Sequence, residues 1–344
     1  MSRVYLDHNA TTPLRDAARA AMIDAMDVVG NPSSVHGEGR AARAVVEKAR
    51  AQVAEAVGAG VADVIFVSGA TEAAALALAG RGLHAAPIEH EAVMAWVTGD
   101  LAVTDGRVVT ADPAQACVQL ANSETGIVQD LPVGLAVSDI TQGFGRVPFS
   151  YGWAGVAQVF LSAHKFGGPK GVGALVVPQG FDVAAQIKGG GQEMGRRSGT
   201  ENVIAIAGMG AAAAAAQTDL ADGRWERVAE LRNILEKAVA AAAPQTISVG
   251  YDLNRLPNTA CFITPDWPGE TQVMAMDLAG YAVSAGSACS SGKVRASRVL
   301  QSLGYDDEQA RCALRVSLGI ETTMDEVLRF ADVWCAKAKR LRAA

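Results

Sequence analysis

Lys165 stands in the segment SAHKFGGPKG (residues 162–171), directly after an apolar run that is typical of a buried strand. Ligands of open α/β sheets bind outside the carboxyl ends of the strands, so this lysine lies where chemistry is expected. A lysine can form a Schiff base with a carbonyl compound when its surroundings lower the pKa of its amine. A single loop lysine is more often simply solvated, so a covalent role requires further partners.

Cys289 is the second residue whose type and setting suggest chemistry, because it stands in the soft, polar segment GSACSSGK (residues 286–293). The number of cysteines is odd and no CxxC pair occurs, which argues against a disulfide framework and a zinc site. The other cysteines stand among apolar residues and are expected to be small buried hydrophobes: Cys117, Cys261, Cys312 and Cys335. Cys289 is therefore the candidate reactive thiol, and its glycine and serine neighbours predict a mobile tether.

Three further groups would complete a site for pyridoxal phosphate, which needs a lysine, a carboxylate facing the pyridine nitrogen, a phosphate cradle and a flat group over the ring. Asp139 follows the apolar run 135–137 and can supply the carboxylate. The turn 68–71 (SGAT) opens a predicted helix, whose first amides and positive dipole end would hold a phosphate. His90 can stack on the ring or move protons. Each signal alone is weak, but together they predict a pyridoxal-phosphate site.

The elements that must position these residues alternate between helices and short buried strands. The pattern predicts helices over 15–28, 41–57, 73–79 and 203–220, and strands over 64–67, 117–120, 135–137, 156–161 and 172–177. This alternation indicates an α/β domain with a mostly parallel sheet. Beyond Asp222, helices over 225–241, 271–278 and 324–341 and strands over 246–249 and 260–264 predict a smaller α+β domain. We assign 16–221 to the large domain, and 1–15 with 222–344 to the small domain that carries the Cys289 loop.

Composition narrows the class of protein. The 344 residues are 50% hydrophobic and 19% charged, which is ordinary for a soluble protein of about two domains. The net charge of −6 argues against binding nucleic acid through a broad basic face, but it leaves a local site for a small anion possible. The start MSRVYLDHNA lacks the apolar core of a signal peptide, and the longest apolar run, 211–216, is too short to span a membrane. We expect a cytoplasmic protein without direct nucleic-acid or membrane partners.

Ten motifs spread over nearly the whole chain resemble the class V aminotransferases, a group of fold-type I pyridoxal-phosphate enzymes, and more narrowly the cysteine desulfurases. These motifs are YLDHNATTP (5–13), GNPSSVHGEGR (30–40), FVSGATEA (66–73), EHEAV (89–93), NSETGIVQD (122–130), DITQ (139–142), SAHKFGGPKGVGAL (162–175), GGGQEMGRRSGT (189–200), SAGSACSSG (284–292) and LRVSLGIETT (314–323). The motifs around Lys165 and Cys289 are the most specific.

The resemblance implies a role for each matching residue. Lys165 would bear the cofactor and remove the α-proton of the substrate, Asp139 would pair with the pyridine nitrogen, and Cys289 would accept the sulfur. Arg315 would bind the substrate carboxylate, with Asn31 near the substrate. The remaining cofactor contacts would be His90 on the ring, Gln142 and the position of Ser123 near the ring hydroxyl, Ala70, Thr71, Ser162 and His164 at the phosphate, and Thr200 at the phosphate of the neighbouring subunit.

The implied reaction converts L-cysteine to L-alanine and leaves a persulfide on Cys289. The resemblance also implies a homodimer and an acceptor protein for the sulfur, such as an iron–sulfur scaffold or a sulfur relay for tRNA thiolation. No metal is implied.

Two features depart from the family pattern. Ser123 stands where the family usually has a second asparagine, and this predicts a weaker hold on the substrate or the cofactor. The chain is also short between His90 and Ser123 and between Gln129 and Asp139. A parallel crossover needs a dozen or more residues, so we expect shortened or missing crossover helices at about 91–138, and a partner or second subunit is one hypothesis for what covers that flank.

Alternatives remain at this stage. A selenocysteine lyase or another class V aminotransferase would share the fold, but neither needs a mobile thiol, so Cys289 favours sulfur transfer. A degenerate homologue that serves as a binding or assembly subunit is favoured by Ser123 and the short crossovers. The intact Lys165, Asp139 and Cys289 speak against it.

Overall fold

The computed structural model describes residues 3–286 and 296–343; Cys289 and its neighbours lie outside these ranges. Its helices are α1 Asp16–Met26, α2 Gly37–Ala56, α3 Ala70–Leu78, α4 Glu91–Met94, α5 Tyr151–Ala154, α6 Val203–Ala221, α7 Arg224–Ala242, α8 Gly269–Asp277, α9 Arg298–Ser302, α10 Asp307–Arg311 and α11 Met324–Ala343. Its strands are β1 Val4–Tyr5, β2 Asp63–Val67, β3 His84–Ala85, β4 Ala102–Thr104, β5 Arg107–Val109, β6 Ala116–Cys117, β7 Leu135–Asp139, β8 Val156–Ser162, β9 Gly173–Val177, β10 Ile247–Ser248, β11 Thr259–Ile263, β12 Tyr281–Ala282, β13 Ser284–Ala285 and β14 Ala313–Ser317.

The central sheet has the strand order β2-β9-β8-β7-β6-β3. Strands β8, β7, β6 and β3 run parallel to one another, whereas β9 is antiparallel to both β2 and β8. The predicted α/β fold with a mostly parallel sheet is therefore confirmed. The reversed strand β9 is short and fully buried, and it carries no polar side chain that could have revealed its direction.

Both faces of this sheet are covered by helices, and strand alternation sorts the side chains between the two faces. On β2, Val64 and Phe66 join the cluster formed with α2 and α6, whereas Ile65 and Val67 join the cluster formed with α3. By length and composition α6 could cross a membrane, although the longest uninterrupted apolar run within it, 211–216, is short. Most of its residues are instead buried against α1, α2 and the sheet, as in the core helix of a globular domain.

The connections at the other end of the sheet are short. Between β3 and β6 the chain forms α4, the β4–β5 hairpin and one 3₁₀ turn, Pro113–Gln115, and residues 118–134, all of them described, form no helix. Residues 121–128 instead make a tight turn that is closed by a bridge between Ala121 and Val128. The side chain of Asn122 accepts the backbone N–H groups of Glu124 and Thr125, each at 2.9 Å, so the turn that carries Ser123 is rigidly held.

The C-terminal part has its own antiparallel sheet, β10-β11-β14-β13, and its own core. The indole of Trp334 on α11 stacks on that of Trp267 with ring centroids 5.5 Å apart, and Phe262 packs beside it. The N-terminal strand β1 pairs with β12, and Asp7 bridges to Ser317 on β14. These contacts support grouping 1–15 with 222–344, and we retain these domain boundaries as a proposal.

Candidate active site

Lys165 ends a short 3₁₀ turn that follows β8 at the carboxyl edge of the sheet. Its Nζ donates to the carbonyl oxygens of Asn9 at 2.6 Å and Ala10 at 2.9 Å. Burial, helped by the neighbouring cations Arg315 and Arg146, lowers the pKa of Lys165 to about 8. At pH 7 about a tenth of this amine is therefore unprotonated, far more than for an ordinary lysine, and the unprotonated form is the one that attacks a carbonyl carbon.

Arg146 is a buried residue of the site that sequence reasoning missed. Its guanidinium donates to Asn9 Oδ1 at 2.7 Å, to Gln142 Oε1 at 2.8 Å and to the carbonyl oxygen of Lys165 at 2.9 Å. Burial is the main reason that the pKa of Arg146 falls to about 9, and the charge of Arg315 lowers it further. An arginine after a glycine-rich turn gives no sequence signal of burial, since most such residues are solvated.

Asp139 ends β7, the parallel neighbour of the Lys165 strand, and is paired in register with Phe160. The two residues therefore share one edge of the sheet, as the sequence predicted. Asp139 Oδ1 accepts the N–H of Thr141 at 2.8 Å. Burial raises the pKa of Asp139, while the bonds from Thr141 and the nearby Lys165 act in the opposite direction. A protonated pyridine nitrogen facing this carboxylate would keep it ionised.

His90 is exposed and caps the start of α4, where its Nδ1 accepts the N–H of Ala92 at 3.1 Å. It lies close enough to Asp139 to favour the ionised form of that carboxyl group. The preceding Glu89 is fully buried and its Oε1 accepts the N–H of Gln119 at 2.6 Å. Burial raises the pKa of Glu89 well above its usual value. Through its bond to Gln119, Glu89 ties the His90 turn to the 119–122 segment.

Ala70 and Thr71 open α3, and no side chain caps the first turn of this nine-residue helix. The preceding Gly69 packs against β9 so closely that a Cβ on Gly173 would lie 2.8 Å from the Gly69 Cα. Ser162 Oγ would lie 3.6 Å from a Cβ on Gly69, so the hydroxyl lies beside the uncapped start of α3. This arrangement suits a phosphate.

His164 was expected at the phosphate, and its Nδ1 lies 3.2 Å from Thr11 Oγ1. Burial, followed by the charges of Lys165 and Lys170, lowers the pKa of His164 to about 4. The imidazole is therefore neutral at physiological pH, and it can serve an anion as a hydrogen-bonding group but not as a cation. Gln142 is buried, and its Nε2 donates to the carbonyl oxygen of Asn9 at 3.0 Å.

Arg315 lies on β14 and faces the Lys165 group from the C-terminal part of the chain. It donates to Asp7 Oδ1 at 2.7 Å and to the carbonyl oxygen of Ser123 at 3.1 Å. The same carbonyl accepts Asn9 Nδ2 at 3.0 Å, so Ser123 holds the site together through its backbone. A serine at this position therefore keeps the backbone contacts but cannot supply a side-chain amide.

Asn31 and Thr200 are not brought to Lys165 by any hydrogen bond among the described residues. Both are exposed, and Asn31 Oδ1 accepts the N–H of Ser33 at 2.8 Å. Gln192, on the segment that leads to Thr200, reaches Ser33 Oγ at 3.4 Å. The segments of Asn31 and Thr200 therefore touch each other at the protein surface.

The residues present fit a pyridoxal phosphate: an amine of lowered pKa, a carboxylate on the neighbouring strand and an uncapped helix start meet at one edge of the sheet. Arg315, the candidate for a substrate carboxylate, comes to this edge from the C-terminal sheet.

Comparisons with known proteins agree with this reading. The Aminotransferase class-V family model matches residues 4–98 and 104–330. A curated cysteine desulfurase of Cereibacter sphaeroides is 38% identical and covers 100% of this chain and 97% of its own length, and one of Frankia is 36% identical with coverage of 99% and 92%. A NifS-like protein from Rickettsia africae has a solved structure with a TM-score of 0.87, 29% identity and coverage of 99% of this chain and 100% of its own.

The alignment with the Cereibacter sphaeroides enzyme runs over 383 residues, 39 more than the 344 of this chain. That relative therefore has segments without a counterpart in this chain. The predicted family, enzyme class and cofactor are confirmed by these comparisons. The chain belongs to the class V aminotransferase family and, within it, to the cysteine desulfurases, which are pyridoxal-phosphate enzymes.

Proposed function

We propose that this chain converts L-cysteine to L-alanine and transfers the released sulfur to Cys289. The observation that carries the proposal is the meeting of Lys165, Asp139 and Arg315: a proton-accepting amine, a carboxylate and a carboxylate-binding cation. Pyridoxal phosphate, when bound, supplies the electron sink for chemistry at the substrate α-carbon. The residues that would hold this cofactor are Lys165, Asp139, Gln142, Ser162, Ala70 and Thr71.

Each residue of the chain then has a task in the reaction. Arg315 binds the substrate carboxylate through its two terminal nitrogens and so orients the α-carbon towards Lys165. Lys165 removes the α-proton, for which a pKa of about 8 suits it near neutral pH. His90, exposed beside Asp139, can return a proton to the product.

The sulfur step requires a thiolate. A bond forms between the sulfur of Cys289 and the substrate sulfur while the carbon–sulfur bond breaks, which leaves a persulfide on Cys289 and alanine as the other product. The four remaining cysteines are buried, and burial raises the pKa of each, to well above its usual value for Cys117. They are poor nucleophiles, which supports Cys289 as the acceptor.

We also propose a homodimer in which Thr200 reaches the cofactor phosphate of the neighbouring subunit. Thr200 lies on the surface, and the touching segments around Ser33 and Gln192 expose large apolar side chains, with Val35 87% and Met194 81% exposed. Ile23 and Met26 on α1 are exposed as well. Apolar surface of this kind is typical of an interface between subunits.

The final acceptor of the sulfur would be an iron–sulfur scaffold or a sulfur-relay protein in the cytoplasm. A further subunit could cover the flank beside the short crossovers, where Val133 and Trp153 are 82% and 91% exposed. A stable, active homodimer that leaves this flank open to solvent would remove the need for such a subunit.

The function is tested by purifying the protein and measuring cofactor absorbance at about 400–430 nm, the range of lysine-bound pyridoxal phosphate. L-cysteine or selenocysteine is then added, and sulfide or selenide and alanine are quantified for the wild type, Cys289→Ala and the control Cys312→Ala. We expect activity with L-cysteine in the wild type and Cys312→Ala, and its loss in Cys289→Ala. Absence of the absorbance band would refute the proposed enzyme activity, and full activity of Cys289→Ala would refute the role of Cys289 as persulfide carrier.

A further inference from the structure

Glu124 carries a buried carboxyl group that none of the roles above uses. It stands in the tight turn after β6 and is only 6% exposed. Its Oε2 accepts the hydroxyl of Ser297 at 2.8 Å, and Ser297 caps α9 by accepting the N–H of Leu300 at 3.1 Å. Ser297 is the second described residue after the segment 287–295.

The other oxygen of the same carboxyl group faces Gly286, the last described residue before that segment. A Cβ at position 286 would overlap with Glu124 Oε1 and would lie 2.9 Å from the Cβ of Ala313. The N–H of Gly286 is already used by the carbonyl oxygen of Ala313, at 3.2 Å. Glycine therefore leaves room here for the Glu124 carboxyl group, whose Oε1 has no hydrogen-bond partner among the described residues.

The charges around Glu124 come from several elements. Burial raises its pKa to about 7, while the Ser297 hydroxyl and the charge of Arg315 on β14 act in the opposite direction. Cys261 on β11 also faces it. Glu124 thus links two parts of the protein. One is the turn whose Ser123 carbonyl accepts Arg315. The other is the pair Gly286 and Ser297, which border the segment of Cys289.

We propose that Glu124 is a positioning residue for the sulfur-transfer step: its carboxyl group packs against Gly286 and accepts the hydroxyl of Ser297, and it thereby fixes where the chain that carries Cys289 leaves and re-enters the fold. The proposal rests on the function proposed above. Its consequence is a separation of the two halves of the reaction, because Glu124 contacts neither Lys165 nor Asp139 among the described residues. Loss of the carboxyl group acts on sulfur transfer and leaves proton removal from the substrate intact.

The test compares Glu124→Ala, which removes both contacts, with Glu124→Gln, which keeps the shape and an acceptor for Ser297. Gly286→Ala disturbs the contact from the other side. Ser302→Ala is the matched control, because it removes a hydroxyl from α9 whose hydrogen bond, among the residues that the structure describes, goes to the carbonyl oxygen of Arg298. The holoenzyme of each variant is assayed for exchange of the substrate α-proton with deuterium and, by mass spectrometry, for persulfide on Cys289.

We expect Glu124→Ala and Gly286→Ala to lower persulfide formation about ten-fold or more, with α-proton exchange within about two-fold of the wild type. Glu124→Gln and Ser302→Ala should retain both activities. Equal loss of both activities in Glu124→Ala, or a wild-type rate of persulfide formation, would overturn the proposal.

A second measurement does not depend on catalysis. Alkylation of Cys289 by iodoacetamide, followed at the peptide level, should be about three-fold or more faster in Glu124→Ala than in the wild type and unchanged in Ser302→Ala. If the wild type forms no alanine, the proposed function fails, but the alkylation rate still shows whether Glu124 positions the segment that carries Cys289. An unchanged alkylation rate in Glu124→Ala would show that the carboxyl group does not position this segment.

Discussion

The guanidinium of Arg146 donates to the backbone carbonyl oxygen of Lys165 at 2.9 Å and thereby fixes the turn that carries the reactive amine. The same guanidinium bonds to the side chains of Asn9 and Gln142. Nζ of Lys165 in turn donates to the carbonyl oxygen of Asn9 at 2.6 Å. A buried cation thus sits next to the reactive amine, where it both orders the surrounding chain and disfavours a second positive charge.

Replacing Arg146 should raise the pKa of Lys165. In Arg146→Met the nearby positive charge is lost, so the pKa should rise from about 8 towards the usual 10.5, but only partly, because burial and Arg315 remain. Arg146→Lys keeps the charge and should leave the pKa close to 8. The pKa is measured in the cofactor-free protein by NMR titration after ¹³C-methylation of lysines, with Lys165→Arg to assign the signal. An unchanged pKa in Arg146→Met would mean that burial alone sets it.

Replacing Arg315 should affect substrate binding more than any later step. Lysine cannot contact Asp7 and the Ser123 carbonyl together while also binding a carboxylate, so we expect Arg315→Lys to raise KM for L-cysteine about 10- to 100-fold. Arg329→Lys on α11 is the control, because among the described residues the ion pair and hydrogen bond of Arg329 go to Asp325 on the same helix. Steady-state alanine formation measures both. An unaltered KM with a lowered kcat would place Arg315 in the chemical step instead.

The sequence predicted the parts of the site that depend on strand ends and helix starts. Lys165, Asp139 and the turn before α3 each follow a recognisable apolar run, and parallel strands bring such ends to the same edge. The antiparallel β9 was not predictable, because a fully buried apolar strand looks the same in either direction.

The buried polar residues were equally hidden from sequence reasoning. Glu89, Glu124 and Arg146 belong to residue types that are mostly exposed, and only the fold shows the partners that allow their burial. Asn31 was expected near the substrate and Thr200 at the cofactor phosphate of the neighbouring subunit, and each stands on the surface of this single chain. Residues that a site receives from a second subunit cannot be located by the packing of one chain.

The raised pKa of Glu124 predicts a characteristic dependence of stability on pH. Its pKa is about 7 in the folded protein against a usual 4.5, so the folded state binds the proton more tightly. Relative to Glu124→Gln, the free energy of unfolding of the wild type should therefore fall as pH rises from 4.5 to about 7, by about 3 kcal/mol in all, and stay level above that.

Urea unfolding of both proteins at several pH values measures this difference, and other titrating groups cancel in the comparison. Glu226→Gln, on the exposed side of α7, serves as the control. A difference that is constant across this pH range would show that Glu124 is ionised in the folded protein throughout.

Gly173 on β9 should be required for cofactor binding although it contacts no cofactor atom itself. A Cβ at this position would lie 2.8 Å from both the Cα and the carbonyl carbon of Gly69 and 2.7 Å from the carbonyl oxygen of Leu161. All three are backbone atoms that cannot rotate away, so Gly173→Ala must push the turn before α3 outwards and misplace the amides of Ala70 and Thr71. We expect about a ten-fold or larger loss of affinity for pyridoxal phosphate, measured by equilibrium titration of the cofactor-free protein.

Gly191→Ala, where an added Cβ meets no atom within 4 Å, should bind the cofactor like the wild type. Equal affinity of the two variants would mean that the start of α3 does not hold the phosphate.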